Sequence, residues 1–242
     1  MKLQEIKEIS AKLKVLSGLH IGAGNDQIKI GGIDTPVAKN PLTNEPYIPG
    51  SSLKGKIRTL LEWRLGTITD GNPTSVTNSN DDNETNSFYK IAKSFGNGKT
   101  IKDNTIANKV GPTRTSFFDC YLTNATELRQ KNAVTEEKVE VSIDRFKGSV
   151  GGGGPRHVER VPAGAEFGFK MTYMIFDNSD EENFNYLALG LKLLEMTALG
   201  GSGSRGYGKV EFTDISGIDE KFLDNKKLKD VNEIEKELGI NK

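Results

Sequence analysis

The chain has 242 residues, 33 of them basic and 33 acidic, for a formal net charge of zero. With 35% hydrophobic and 27% charged side chains it can bury a real core, and no stretch approaches the roughly 20 apolar residues of a membrane span. One cysteine and two histidines exclude a disulfide framework and argue against a Cys/His zinc site, and the opening MKLQEIKEIS does not resemble a signal peptide, so a reducing cytoplasm and no membrane partner are expected.

In chain order, Ile9, Ala11, Leu13 and Val15 alternate with Ser10, Lys12 and Lys14, and this period of two predicts a half-buried strand running to about Ile21. A turn-rich passage follows from Gly22 to Pro41, punctuated by Gly31-Gly32 and Pro36. Pro49-Gly50-Ser51-Ser52 then opens a helix with an apolar stripe of Leu53, Ile57, Leu60, Leu61 and Leu65, capped by Ser51 or Ser52. Residues 69–86 contain Val76 as their only hydrophobic residue and are expected to be a mobile insertion. Strands are predicted at Thr115–Leu122 and Ala165–Phe176, with a long excursion over 124–162 between them. The acidic run Asp177–Glu182 precedes a second helix carrying Phe184, Leu187, Ala188, Leu191, Leu194 and Ala198, which Gly200-Gly201 stops. Tyr207–Phe212 reads as a final strand, and the charged tail after 216 as peripheral. The order β, α, β, β, α, β is that of an α+β, ferredoxin-like unit, the architecture of RNA-recognition domains, carrying two large insertions.

Zero net charge does not exclude nucleic acid, because the charge is uneven. Residues 177–242 hold 14 acidic and 9 basic groups, leaving 24 basic against 19 acidic in residues 1–176. Gly50-Ser-Ser-Leu-Lys-Gly-Lys-Ile57 nearly spells a P-loop but lacks the hydroxyl that would hold magnesium. A helix N-terminus with Lys54, Lys56 and Arg58 still suits a phosphate, or else forms a solvated basic face. Gly201-Ser-Gly-Ser-Arg205-Gly matches a dinucleotide fingerprint, but it lies between helix and strand rather than strand and helix, so that reading fails. It is either a flexible connection or a glycine loop that lets a backbone approach Arg205. Phe167-Gly-Phe169-Lys-Met-Thr-Tyr173 resembles an aromatic RNA-binding motif and is more simply core. Asp34 in a Gly/Pro-framed turn is a turn former or a lone acid, and His20 is structural or functional. Arg145, Lys147, Arg156 and Arg160, split by glycines, suit either a projecting hairpin that touches a backbone or an ordinary basic loop.

In combination the motifs are more specific. Ser17–Gly22 (SGLHIG), Gly32–Val37 (GIDTPV), Tyr47–Lys56 (YIPGSSLKGK), Ser142–Arg145 (SIDR), Glu159–Gly164 (ERVPAG) and Leu199–Gly208 (LGGSGSRGYG) occur in this order. The chain resembles, from about residue 9 to 213, the repeated backbone subunit of type III-A CRISPR effector complexes, of the repeat-associated RNA-binding superfamily.

The resemblance implies a ferredoxin-like palm (1–65, 113–123 and 163–216), a lid insertion (66–112), a thumb insertion (124–162) and a charged C-terminal tail (217–242). It implies copies stacked in a helical filament along a CRISPR guide RNA, with each thumb displacing one nucleotide so that a paired target RNA is cut at regular intervals. Asp34 falls on the family's catalytic aspartate, as base or metal ligand, with a divalent metal, Mg or Mn, as cofactor and no zinc. Guide contacts fall on His20, Ser51, Ser52, Lys54, Lys56, Arg58, Arg145, Arg156 and the loop Gly201, Ser202, Gly203, Arg205. Other effector subunits, a large polymerase-like one and a small one, are the remaining implied partners. Two departures stand out: the run Gly151–Gly154, which predicts a flexible thumb, and His157, where the family pattern has an amide side chain. A purely architectural RNA-binding subunit and a guide-precursor processing enzyme are the competing functions. The scarcity of histidine weakens the latter.

Overall fold

Alternation in β1 (Glu5–Val15) sends Ile9, Leu13 and Val15 inward and lysines outward, and the strand takes the centre of the main sheet. The computed structural model describes residues 1–23, 34–79, 83 and 85–240. After β1 come β2 (Tyr47–Ile48), α1 (Gly50–Leu65), α2 (Ser87–Phe95), α3 (Asn104–Val110), β3 (Thr115–Phe117), β4 (Cys120–Tyr121) and α4 (Ala125–Gln130). The second half holds β5 (Glu136–Ile143), β6 (Val150–Arg160), β7 (Glu166–Ile175), α5 (Asn178–Met196), β8 (Val210–Ser216), β9 (Leu223–Asp224), β10 (Lys227–Leu228) and α6 (Val231–Glu237).

The main sheet is antiparallel with order β3-β7-β1-β8. One face is covered by α1 and α5, whose Leu53, Ile57, Leu61, Leu187, Leu191 and Leu194 share a core with Leu13, Phe167, Phe169, Met171 and Tyr173. Gly190 sets the helix approach, since a Cβ there would lie 2.8 Å from Ile57 Cγ2. The other face carries ion pairs, Lys170 with Glu8 at 2.7 Å and Lys12 with Glu166 at 3.3 Å. The aromatics of β7 are therefore core, and the sheet offers no aromatic platform for bases.

The structure corrects several expectations. β1 ends at Val15 rather than Ile21, because Leu16 and Ser17 both donate to the Lys209 carbonyl and turn the chain away. Thr115–Leu122 is two strands in two sheets, β3 beside β7 and β4 beside β2. The acidic run opens α5 rather than preceding it: Asp177 caps the Ser179 and Asp180 N–H groups, and Asp180 and Glu181 favour the positive helix end. The helix stops at Met196, before the glycines. The last strand begins at Val210, since Tyr207 and Gly208 are used elsewhere, Gly208 donating to the Gly18 carbonyl.

The 69–86 insertion is not simply loose. Thr74, Ser75 and Val76 are buried, Thr67 and Thr74 share a hydroxyl bond at 2.8 Å, and buried Glu62 accepts from the Thr74 N–H at 2.9 Å. Polar burial satisfied by hydrogen bonds does here what apolar burial does elsewhere. Residues 80–82 and 84 of that segment, and the Gly31-Gly32 turn, lie outside the described residues. The tail is not peripheral: Phe222, Leu223, Leu228 and Ile234 join the main core, and Glu235 receives Arg64. Gly151–Gly154 is part of β6, antiparallel to β5, and the hairpin turns at 144–149 instead.

Candidate nucleic-acid interface

The base of the β5–β6 hairpin organises the candidate site. Segment 34–39 runs along β6: the Asp34 N–H donates to the His157 carbonyl at 3.1 Å, the Glu159 N–H to the Thr35 carbonyl at 3.1 Å, and the His157 N–H to Asp34 Oδ2 at 2.9 Å. Along the same edge, just past the end of β6, Leu19 bridges Val161. His20 Nδ1 lies 2.7 Å from the Glu159 carbonyl. Because a carbonyl only accepts, Nδ1 carries the hydrogen, and in the neutral ring Nε2 is left as the acceptor.

Glu159 links these pieces. Its carboxylate accepts from the Val37 N–H at 3.0 Å and from Lys39 at 2.5 Å. Burial pushes its pKa up, but the hydrogen bonds from Lys39, the Val37 N–H and Thr135, with the charge of Lys39, outweigh that and hold it below the ordinary 4.5. Glu159 was not among the expected site residues. Its register with buried Val161 in an alternating strand was the signal, since an acid on the inward side of a strand needs partners.

The glycine loop meets His20 from above. The Gly201 N–H donates to the His20 carbonyl at 2.9 Å, and a Cβ on Gly200 would lie 2.3 Å from that oxygen. Cβ atoms built on Gly22 and Gly201 would sit 3.6 Å from Nε2 and Cδ2 of His20, so the exposed glycine backbones leave the imidazole edge open. Ser202 and Gly206 adopt left-handed φ around the short Gly203–Arg205 turn. Arg205 bonds Ser202 Oγ and pairs with Glu140 of β5 at 3.4 Å. Glu140 also accepts from Tyr207 at 2.7 Å; that bond first, then the charges of Arg205 and Lys138, holds its pKa down. Lys138 and Arg160 lie 4.4 and 5.0 Å from the Tyr207 ring centroid.

The predicted contact residues therefore fall in three groups. His20, Asp34 and Gly201, Ser202, Gly203 and Arg205 gather at the hairpin base. Ser51, Ser52, Lys54, Lys56 and Arg58 lie on α1, whose cap is Pro49 and not a serine. Its first N–H, on Gly50, is taken by Asp119 Oδ1 at 2.8 Å, so a carboxylate of the chain already occupies that end of the helix. Arg58 is committed internally, to Glu62 at 2.7 Å and the Thr74 carbonyl at 3.0 Å. Burial and the charge of Arg58 lower the pKa of Lys54. Lys56 lies 5.9 Å from the Trp63 ring centroid. The third group, Arg145 and Arg156, is exposed along the hairpin, with Arg156 bonded to Ser142 Oγ at 3.0 Å.

Among the described residues, no group of three His, Cys, Asp or Glu side chains is placed to hold a metal ion, and no helix is long and apolar enough to cross a membrane. The lone thiol of Cys120 is buried and pushed up to about 12 by burial.

Comparison with known proteins follows the same residues. The chain is 39% identical over 239 residues to the CRISPR system Cms endoribonuclease Csm3 of Streptococcus thermophilus, covering 97% of this chain and 98% of that protein. It is 38% identical over 231 residues to the protein of the same name from Methanothermobacter thermautotrophicus, covering 89% and 86%. A solved Csm3-Csm4 subcomplex of the type III-A interference complex matches with a TM-score of 0.53 and 27% identity, covering 99% of this chain and 97% of that one. A chain of the type III-B Cmr-beta complex bound to cognate target RNA shares the fold at a TM-score of 0.58 and 16% identity, with 89% of this chain aligned to 61% of that one. The RAMP superfamily model matches residues 12–211, and the chain belongs to the RAMP superfamily.

Proposed function

We propose that this chain is the repeating guide-RNA-binding backbone subunit of a type III-A CRISPR interference complex and cuts the paired target RNA at regular intervals. The observation that carries the reading is the lashing of Asp34 to β6 beside His20 and the Gly201–Arg205 loop. It sets an acid at a fixed place next to groups suited to an RNA backbone. The relatives named as endoribonucleases support the activity, and the likeness to a Csm3-Csm4 subcomplex supports other effector subunits as partners. In this reading the β3-β7-β1-β8 sheet with α1 and α5 is the ferredoxin-like palm, 66–112 the lid and 124–162 the thumb.

Base pairing supplies sequence specificity, so the protein needs only backbone contacts. Paired A-form RNA holds each 2′-hydroxyl away from the line of attack on its neighbouring phosphorus. A nucleotide splayed out by the thumb swings its hydroxyl into line. The 2′-oxygen then bonds to phosphorus and the bond to the 5′-oxygen breaks, leaving a cyclic phosphate and a 5′-hydroxyl. Alignment supplies much of the rate. Asp34, exposed and positioned through Oδ2, offers a carboxylate either to accept the 2′-hydroxyl proton or to hold a cation. Its oxygen donor suits a hard divalent ion, Mg or Mn, which typically takes one or two carboxylates and completes its shell with phosphate and water. When bound, the ion stabilises negative charge developing on the phosphate.

Identical head-to-tail contacts generate a helical stack, so each added copy should add one cut at a constant spacing. Mapping target ends with complexes of increasing guide length tests this. A single cut, or irregular spacing, would leave the chain an architectural RNA-binding subunit.

A further inference from the structure

Tyr207 is buried, 1% exposed, yet it stands outside the main hydrophobic core. Its backbone is fixed in the body of the fold. The Gly208 N–H donates to the Gly18 carbonyl at 3.0 Å, the Leu199 N–H donates to the Gly208 carbonyl at 2.9 Å, and a Cβ on Gly208 would lie 1.9 Å from the Leu199 oxygen. Its side chain reaches the β5–β6 hairpin instead. The phenol donates to Glu140 Oε1 at 2.7 Å, and Lys138 and Arg160 lie 4.4 and 5.0 Å from the ring centroid. Burial first, and then the Glu140 bond, push the phenol pKa up, while the same bond holds that of Glu140 down. The proton therefore stays on the phenol, and the bond is charge-assisted. Arg205 also pairs with Glu140, but at 3.4 Å and with its side chain more than half exposed, so the bond from the buried tyrosine is the stronger tie.

That tie sits at the level of Asp34. Glu140 follows Val139, and Val139 pairs in register with His157, whose N–H donates to Asp34 Oδ2. Two other anchors of the hairpin, Leu19 with Val161 and Val37 with Glu159, lie toward its base. On the face opposite Glu140, Val139 and Val141 are half exposed and lend the hairpin little support. A two-stranded ribbon is marginal by itself, and any swing of β6 carries the Asp34 carboxylate with it. We propose that Tyr207 is a positioning residue for target cleavage: its hydrogen bond to Glu140 holds the hairpin, and through β6 the Asp34 carboxylate, in place against the Gly201–Arg205 loop. The proposal rests on the cleavage reading above. Being buried, Tyr207 touches neither RNA nor the reacting atoms and acts through Asp34.

The test uses the assembled complex with its guide RNA, and measures single-turnover cleavage of saturating target beside target affinity. Tyr207→Phe keeps the ring and its contacts with Lys138 and Arg160, so the fold is retained and only the bond is lost. It should slow cleavage roughly tenfold or more at unchanged target affinity, since misplacing a reacting group by a small distance can cost about a hundredfold. Glu140→Ala should lose the same factor, and the double variant no more than either single one, because the two side chains form one tie. Glu140→Gln keeps an oxygen to accept from the phenol and should recover most of the rate that Glu140→Ala loses. Losses that multiply in the double variant would uncouple the two residues and overturn the proposal. A parallel loss of affinity and rate in Tyr207→Phe would overturn it too, by making the residue a structural one. Cleavage by Tyr207→Phe at the wild-type rate would overturn it while leaving the cleavage reading standing. A wild-type complex that binds target without cutting it would overturn the cleavage reading itself, and the proposal with it.

Discussion

Asp34 and His157, 123 positions apart in the chain, are joined twice: the His157 N–H donates to Asp34 Oδ2 at 2.9 Å, and the Asp34 N–H donates to the His157 carbonyl at 3.1 Å. The carboxylate is thus aimed by a strand of the hairpin rather than by its own turn. Thr35 and Glu159 extend the pairing by one more bond.

Asp34→Ala is expected to lower target cleavage by on the order of a hundredfold or more while leaving RNA binding unchanged. Asp34→Asn keeps an oxygen to accept from the His157 N–H, so it should preserve the local structure and still fail to cut. Cleavage assays beside binding titrations decide the matter. A parallel loss of binding in Asp34→Asn would make the residue structural.

Lys54 and Arg58 are one helical turn apart and should behave differently. Arg58 compensates Glu62, which is 3% exposed, so Arg58→Ala strands a buried carboxylate and should cost on the order of 3 kcal/mol in denaturant unfolding. Lys54→Ala should unfold as wild type does but reduce the slope of log affinity against log salt by about 1. Burial and the nearby Arg58 charge disfavour protonated Lys54, whereas an RNA phosphate favours it. Affinity should therefore weaken as pH rises through the depressed pKa, and Lys54→Ala should lose that dependence.

Glu159 makes stability sensitive to acid. Its folded pKa lies below the ordinary 4.5, so the stabilisation it gives is present above that value and is lost as pH falls through the folded one. Thermal unfolding from pH 6 down to 3 should show this loss, and Glu159→Gln should be less stable at neutral pH and flatter in acid. A variant with the wild-type acid profile would show that the Lys39 and Val37 contacts carry no such linkage.

Local chemistry was readable without coordinates wherever a residue's neighbours in the chain decide its fate. The alternation of β1 and β7, the apolar stripes of α1 and α5, and the ordered motifs from Ser17 to Gly208 all belong to this class, because periodicity and turn chemistry act over a few residues. The tertiary structure decided what depends on burial and on how the elements pack. Asp119 rather than a local serine meets the first N–H of α1, and Glu62 turns Arg58 from a surface cation into a buried strut. Glu62 likewise orders the polar stretch at Thr74, which composition marked as loose, Ile234 is drawn into the main core, and Glu235 is held by an arginine 171 positions away. Which of these hydrogen bonds and ion pairs form leaves no period in the sequence. Their energy depends on burial and geometry, which exist only once the chain has folded.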